Sequence, residues 1–120
     1  PPEVRNGMRW FRADLHIHTP ASEDYAEPEV TYLDILREAE RRELELIAFT
    51  DHNTVSGYEQ MQRELDFLRV LETAGRLTGE EQERLNEYRR LLDKITVLPG
   101  FEFTSHFGAH VLGVFPPNRP

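Results

Sequence analysis

The first regular pattern along the chain is an alternation of apolar and polar residues between Trp10 and Thr19, and it predicts a β-strand. Successive side chains of a strand point to opposite faces, so Leu15 and Ile17 are expected to share one face. The opposite face carries three polar side chains that need a reason to lie in a sheet: Asp14, His16 and His18.

A helix is predicted next, from Thr31 to Arg42, because Thr31-x-x-Asp34 resembles a capping box and apolar residues follow at helical spacing. The mostly apolar run from Leu44 to Thr50 then predicts a strand that is buried on both faces, as in parallel sheets. Strand, helix and strand in this order make a βαβ unit, so the predicted fold class is α/β.

Two further helices are predicted between this unit and the last strands. Ser56-x-x-Glu59 is expected to cap the first, which ends near Gly75, and Thr78-x-x-Glu81 is expected to open the second. The short connection between them predicts an antiparallel helical pair, inserted over about residues 56–94.

The C-terminal part of the chain predicts two more strands. Ile95 to Leu98 is expected to form a strand that breaks at Pro99-Gly100 and resumes from Phe101 to Thr104. A turn over residues 105–108 is then expected to lead into a last strand from His110 to Phe115.

Composition narrows the class of protein. At 120 residues, the chain is expected to form a single domain, and its net charge of −8 does not favour binding of nucleic acid by general electrostatics. It contains no cysteine, so any metal must be held by His, Asp and Glu. No apolar run approaches the roughly 20 residues of a membrane span, and we expect a soluble, cytoplasmic protein.

The histidines are the candidates for metal binding. His16 and His18 are expected to lie on one face of a strand, about 6 to 7 Å apart, which lets both imidazoles converge on one ion. The alternative is a pair of surface histidines on a half-exposed strand. His52 follows a buried strand, where parallel α/β folds collect functional side chains, although Asp51 and Asn53 are also ordinary turn and capping residues.

Two later residues fit the same kind of site. Glu102 lies between Phe101 and Phe103 on a predicted buried strand, and a buried carboxylate needs a metal or another cation, an arginine being the alternative. His110 opens the last strand, where a hydrogen-bonded core histidine is the alternative. The shared placement of four of the five histidines at strand ends favours a common metal site.

Four sequence blocks together resemble the polymerase and histidinol phosphatase (PHP) family. They are His-x-His-Thr at 16–19, Thr-Asp-His-Asn at 50–53, Pro-Gly-x-Glu at 99–102 and His-x-Leu-Gly at 110–113. The resemblance implies the N-terminal portion of a distorted, TIM-like (β/α)7 barrel that binds two or three divalent ions, zinc, manganese or iron. It implies a phosphoesterase in which a metal-bound hydroxide attacks a phosphate ester.

The resemblance also assigns residues. The metal ligands that it implies are His16, His18, His52, Glu102 and His110, with Glu102 bridging two ions. The family's acidic ligand after a serine corresponds to Asp24, with Glu23 as the second choice. His106 has no place in the pattern and is expected to be a turn residue rather than a substrate contact.

The family pattern continues through a later His and an Asp-x-His for which this chain has no candidates. We therefore expect an incomplete site, a chain that is a poor phosphatase alone, and a downstream domain or a dimer partner. The expected substrate is a phosphorylated small molecule or a nucleotide, and nucleic acid is an alternative that the charge does not favour. The alternative functions are a non-catalytic PHP-fold interaction or regulatory module and a metal-dependent amidohydrolase.

Overall fold

The structure is a computed structural model that describes residues 4–5, 8–9, 11–21, 30–52, 55–104 and 110–116, with the backbone alone at residues 4, 5, 8, 9, 52 and 104. Six strands and three helices lie in this described part. In chain order they are β1 (Val4–Arg5), β2 (Met8–Arg9), β3 (Ala13–Ile17), α1 (Tyr32–Arg41), β4 (Leu46–His52), α2 (Ser56–Thr73), α3 (Gly79–Lys94), β5 (Thr96–Thr104) and β6 (His110–Val114).

A curled, four-stranded sheet forms the centre of the molecule, in the order β3-β4-β5-β6. β3, β4 and β5 are parallel, whereas β6 runs antiparallel to β5. β1 and β2 make a separate antiparallel pair. The predicted α/β class is confirmed at this level, as a half-barrel sheet with three helices.

β4 is the buried middle of the sheet. The prediction of a strand buried on both faces is confirmed, although the strand begins at Leu46 instead of Leu44. At its start, the N–H groups of Glu45 and Leu46 both donate to the carbonyl of Arg12, and Leu46 forms the first ladder pair with Ala13. Five consecutive residues of this strand are fully buried: Ile47, Ala48, Phe49, Thr50 and Asp51.

β3 differs from its predicted form. It is shorter than the predicted strand, and Leu15 is 43% exposed, while Ile17 packs against the core. The two side chains, which the sequence predicted to share one face, are therefore buried to different extents. A register shift lies between Asp14 and Ile17, where three steps along β3 pair with two along β4, and it interrupts the simple alternation of faces.

The capping prediction holds for α1. Thr31 is the N-cap and accepts a hydrogen bond from the Asp34 N–H, while the Asp34 carboxylate accepts one from the Thr31 N–H. This reciprocal pair satisfies two helix-end donors. The helix then buries Leu33, Leu36 and Ala39 against the sheet, as its apolar spacing predicted.

α2 and α3 form the expected antiparallel pair. Glu72 near the end of α2 contacts Gln82, whereas Glu64, earlier on the same helix, contacts Tyr88. The farther a contact lies from the turn, the farther apart its two residues are in the sequence, as expected for antiparallel helices. Gly75, just after α2, has a φ of 69°, a left-handed conformation that glycine adopts without strain.

The two caps of this pair have different outcomes. Thr78 caps α3 in a reciprocal pair with Glu81, as predicted. The prediction for Ser56 is wrong, because Val55 occupies the N-cap of α2 without a side-chain hydrogen bond and Ser56 is already helical. The start of α2 instead lies against the buried carboxylate of Asp51, which suits the positive end of the helix dipole.

β5 is one continuous strand, and the predicted break at Pro99-Gly100 is wrong. The carbonyl of Pro99 accepts from the Phe115 N–H, just beyond the last paired residue of β6. A residue's N–H and C=O point to the same side of a strand, so the missing Pro99 N–H faces the end of that ladder, where proline is tolerated. The last strand is confirmed one residue shorter than predicted, and the turn expected at residues 105–108 lies outside the described residues.

Within the described residues, no helix combines the length and the apolar character needed to cross a membrane.

Candidate metal centre

Glu102 is the centre of the candidate site. It lies on β5, where its register partners are His52 on β4 and Leu112 on β6. It is only 4% exposed, so its carboxylate is enclosed by the sheet and its neighbours. A charged carboxylate at such a position requires polar partners to offset its lost hydration.

Imidazoles from β6 and from the C-terminal end of β3, including His18 just after it, supply these partners. Nε2 of His18 lies 2.8 Å from Oε1 of Glu102, and Nε2 of His16 lies 3.8 Å from the same oxygen. Nδ1 of His110 lies 2.7 Å from the other oxygen, Oε2. Each carboxylate oxygen therefore faces its own side of the site, with β3 at one and β6 at the other.

The imidazoles of His16 in β3 and of His18, just after this strand, lie close together, as the sequence predicted. Their ring centroids are 5.1 Å apart and the ring planes are inclined by 33°. The N–H of His16 donates to Oδ1 of Asp14 at 3.0 Å, within the bulged part of the strand. Asp14 thus has a local reason to lie on this strand, because it holds the backbone that carries the histidine pair.

Three of these side chains could hold a metal ion. His16, His18 and Glu102 each offer a ligand atom, and the three atoms lie within 4.8 Å of one another. Two imidazole nitrogens and a carboxylate oxygen form a donor set that suits zinc, manganese or iron. The side chains of His16 and His18 are 46% and 27% exposed, so the group is open to solvent on the histidine side.

The remaining predicted ligands are described only in part. The Cα of His52 is the register partner of Glu102 in the parallel ladder, and its side chain lies outside the described part of the structure. Asp24 and Glu23 fall in residues 22–29 and His106 falls in residues 105–109, all outside the described residues. The structure therefore brings together four predicted residues: His16, His18, Glu102 and His110.

Sequence reasoning missed the structural role of Asp51 and Thr19. The sequence left a turn or capping role for Asp51 as an alternative, but Asp51 lies within β4 and is fully buried. Its two oxygens accept hydrogen bonds from the backbone N–H and the hydroxyl of Thr19, which is also fully buried. The available signal was the position of an aspartate at the end of an apolar run, directly before His52 and close to Gly57.

A cavity of about 280 Å³ lies beside the cluster, between β3 and α1, and His18 is part of its wall. Its lining includes apolar side chains such as Ile17 and Ile35, and its three carboxylates outnumber a single guanidinium. This charge balance does not favour a phosphate group. The carboxylates are Asp14, Asp34 and Glu38, and the guanidinium is Arg42.

Comparison of the chain with protein-family models, with curated proteins and with solved structures gives no match.

Proposed function

We propose that this chain carries the metal-binding residues of a PHP-type phosphoesterase, and that its curled sheet belongs to a distorted (β/α)7 barrel. One observation carries the proposal. A carboxylate that is 4% exposed has imidazoles at both oxygens, supplied by strands on either side of it. Such a buried acceptor surrounded by lone-pair donors fits a divalent cation better than it fits an apolar core.

The order of the motifs supports the same proposal. The residues that gather in space are those of His-x-His-Thr, Pro-Gly-x-Glu and His-x-Leu-Gly, the blocks that carry the family resemblance. The continuous path of β5 through Pro99 and Gly100 brings Glu102 level with the end of β4. The C-terminal ends of parallel strands are where α/β folds place their reactive groups.

Each residue of the cluster has its own role in the proposed site. Glu102 supplies two oxygen ligands from the floor of the site, and its burial fixes their direction. His16 and His18 supply nitrogen ligands at the solvent side of Oε1, and His110 lies at Oε2. A bound divalent cation would neutralise the charge of a phosphate ester and supply Lewis acidity. We propose zinc, manganese or iron as the metal and a small phosphate monoester or nucleotide as the substrate.

The test is metal binding, followed by hydrolysis at high protein concentration. Calorimetric titration with Zn²⁺ and Mn²⁺ is expected to show saturable binding, and an aryl phosphate is expected to be hydrolysed slowly and only with metal present. Glu102→Gln keeps the size of the side chain but removes its charge, and it should abolish both signals.

Glu43→Gln is the matched control, because the Glu43 side chain is 77% exposed and pairs with Arg12 on the surface. It should behave as the unsubstituted chain does. A chain that binds neither ion would contradict the proposal. Metal binding without any hydrolysis would instead support a non-catalytic interaction module.

A further inference from the structure

Asp51 is a buried carboxylate that does not belong to the histidine cluster. It lies at the C-terminal end of β4 and is fully buried. Its Oδ1 accepts the backbone N–H of Thr19 at 2.6 Å, and its Oδ2 accepts the Thr19 hydroxyl at 2.8 Å. Both oxygens of one side chain thus bind one residue of a neighbouring strand end.

This link lies where the sheet no longer holds β3. The ladder between β3 and β4 ends at the pair Ile17–Phe49, so His18 and Thr19 lie beyond it. In the described residues β3 pairs with β4 alone, and its register is already shifted by a bulge. The hydrogen bonds from Thr19 to Asp51 continue the connection between the two strands past the end of the ladder.

The start of α2 packs closely against the hydrogen bonds between Asp51 and Thr19. A Cβ placed on Gly57 would lie 2.2 Å from Oδ2 of Asp51 and 2.4 Å from Oγ1 of Thr19. The backbone of Gly57 does not adopt the left-handed conformation that favours glycine, so lack of space explains the glycine here. Any larger side chain at residue 57 must displace the carboxylate, the hydroxyl or the helix.

We propose that Asp51 is a positioning residue that fixes His18 against Glu102 through its hydrogen bonds to Thr19, with Gly57 providing the space that the arrangement needs. His18 directly precedes Thr19, and its Nε2 lies 2.8 Å from Oε1 of Glu102. A displacement of Thr19 therefore moves the imidazole that makes the shorter of the two histidine contacts with this oxygen. The inference rests on the proposed metal site, and it adds a residue that is not one of the proposed metal ligands.

The first experiment compares Gly57→Ala with Gly79→Ala. Both glycines lie in the first turn of a helix, but a Cβ at Gly79 meets nothing within 4 Å. Gly57→Ala is expected to weaken Co²⁺ binding, followed by its visible absorption, by about tenfold or more, the range found when groups that orient a metal ligand are removed. Gly79→Ala should leave the affinity and the spectrum unchanged.

A second pair of variants removes the hydroxyl without adding bulk. Thr19→Val keeps the backbone hydrogen bond but loses the hydroxyl, so it should weaken Co²⁺ binding, whereas Thr19→Ser should restore it. The ring resonances of His18 in the metal-free protein provide a second measurement. They should move in Gly57→Ala and Thr19→Val and stay in place in the two control variants.

The outcomes separate the two proposals. If the unsubstituted chain binds no Co²⁺, the metal site is wrong, and the His18 resonances alone decide whether Asp51 positions that ring. If Gly57→Ala and Thr19→Val lower the thermal midpoint but leave Co²⁺ affinity and the His18 resonances unchanged, Asp51 only stabilises the fold and the inference is overturned.

Discussion

Glu102 shows how one residue can define the environment of a site. Its carboxylate loses nearly all contact with solvent, and its described ion pairs are with imidazoles. Imidazole is a weaker partner for a carboxylate than the permanently charged guanidinium of arginine, because it carries charge only when protonated. A divalent ion would satisfy the carboxylate and the imidazole lone pairs together, which is why the residue types agree with the proposed function.

Gly100 lets β5 and β6 approach closely enough to place Glu102 beside His110. A Cβ at this position would lie 2.4 Å from the carbonyl oxygen of Gly113, which is backbone and cannot rotate away. We expect Gly100→Ala to lower the free energy of unfolding by about 1–3 kcal/mol, as overpacking does in other cores. Urea denaturation measures this change.

Gly79→Ala again serves as the control for Gly100→Ala, because open space surrounds Gly79. It should change the free energy of unfolding by less than about 1 kcal/mol. Equal effects of the two substitutions would show that β5 and β6 can separate at Gly100 without cost, contrary to the packing described above.

At the scale of elements, α2 buries some of its apolar side chains in the core and leaves others exposed to solvent. Met61, Leu65 and Leu68 are buried in the core, whereas Val70 on the same helix is 65% exposed. We expect Leu68→Ala to lower the free energy of unfolding by about 2–5 kcal/mol, through lost burial and a new cavity. Val70→Ala should cost less than about 1 kcal/mol, and chemical denaturation of both variants provides the comparison.

An ion-pair network connects α1 to α3. Arg90 donates to Glu40 on α1, at 2.5 Å, and to Glu87 on its own helix, at 2.7 Å. Hydrogen bonds from Arg90 and then Lys94 lower the pKa of Glu40 from 4.5 to about 2. Arg90 and then Arg37 lower the pKa of Glu87 in the same way, to about 2.

The sign of these shifts predicts how acid affects the network. A carboxyl group whose pKa is lowered on folding contributes stability above its unfolded pKa, and that contribution disappears as pH falls from about 4.5 to about 2. Arg90→Met should therefore lower the thermal midpoint near neutral pH, and its difference from the unsubstituted chain should shrink over this acid range. The effect should be small, because the network is exposed and screened by salt.

Arg69→Met is the control for the acid experiment, since Arg69 pairs at 3.5 Å with Asp66 on its own helix and has no ion pair with a second element among the described residues. Between pH 7 and pH 2, the thermal midpoint of Arg69→Met should stay almost equal to that of the unsubstituted chain. A difference between Arg90→Met and the unsubstituted chain that stays constant down to pH 2 would mean that the carboxylates of the network do not cause it.

The sequence predicted a structural feature correctly where the feature depends on residues close together in the sequence. The capping boxes at Thr31 and Thr78 were predicted correctly, because each is a contact between residues three apart in the sequence. The break expected at Pro99 was wrong, because the end of a neighbouring strand decides whether proline is tolerated there. The different burial of Leu15 and Ile17 was not predicted, since the bulge in β3 is visible only in its pairing with β4.

The candidate site is a property of the whole molecule. His16, Glu102 and His110 come from three strands, and the chain between the first two is most of the protein. A metal bound by groups so far apart in sequence binds the folded state and not the unfolded chain, so it must stabilise the fold. At a free Zn²⁺ concentration of 100 times Kd, the expected gain is about 2.7 kcal/mol.

Amide hydrogen exchange tests this coupling between metal and fold. Saturating Zn²⁺ should slow exchange in β3 and β5 together, because each supplies a ligand and neither can open alone without releasing the ion. Glu102→Gln should abolish this protection, and Glu43→Gln should preserve it. Protection limited to β3 would mean that His16 and His18 hold the ion without Glu102.

The sequence predicted the residues of the candidate metal site better than it predicted the residues that hold them in position. His16, His18 and Glu102 were identified because polar residues on apolar strands are conspicuous, and the structure brings them together. Asp51 was not recognised, because its partner Thr19 is 32 residues away and its burial depends on where α2 begins. Supporting contacts of this kind arise from packing between elements, which local patterns do not encode.

The turn after α2 lies far from the chemistry. α2 starts against Asp51 and runs for 18 residues, about 27 Å, so the turn at Gly75 and Arg76 lies near the opposite end of the helical layer. Both residues are exposed, and nothing lies within 4 Å of a Cβ at Gly75. A fluorophore attached to a cysteine introduced at Arg76, in a chain with no other thiol, would report on unfolding without perturbing the ligands.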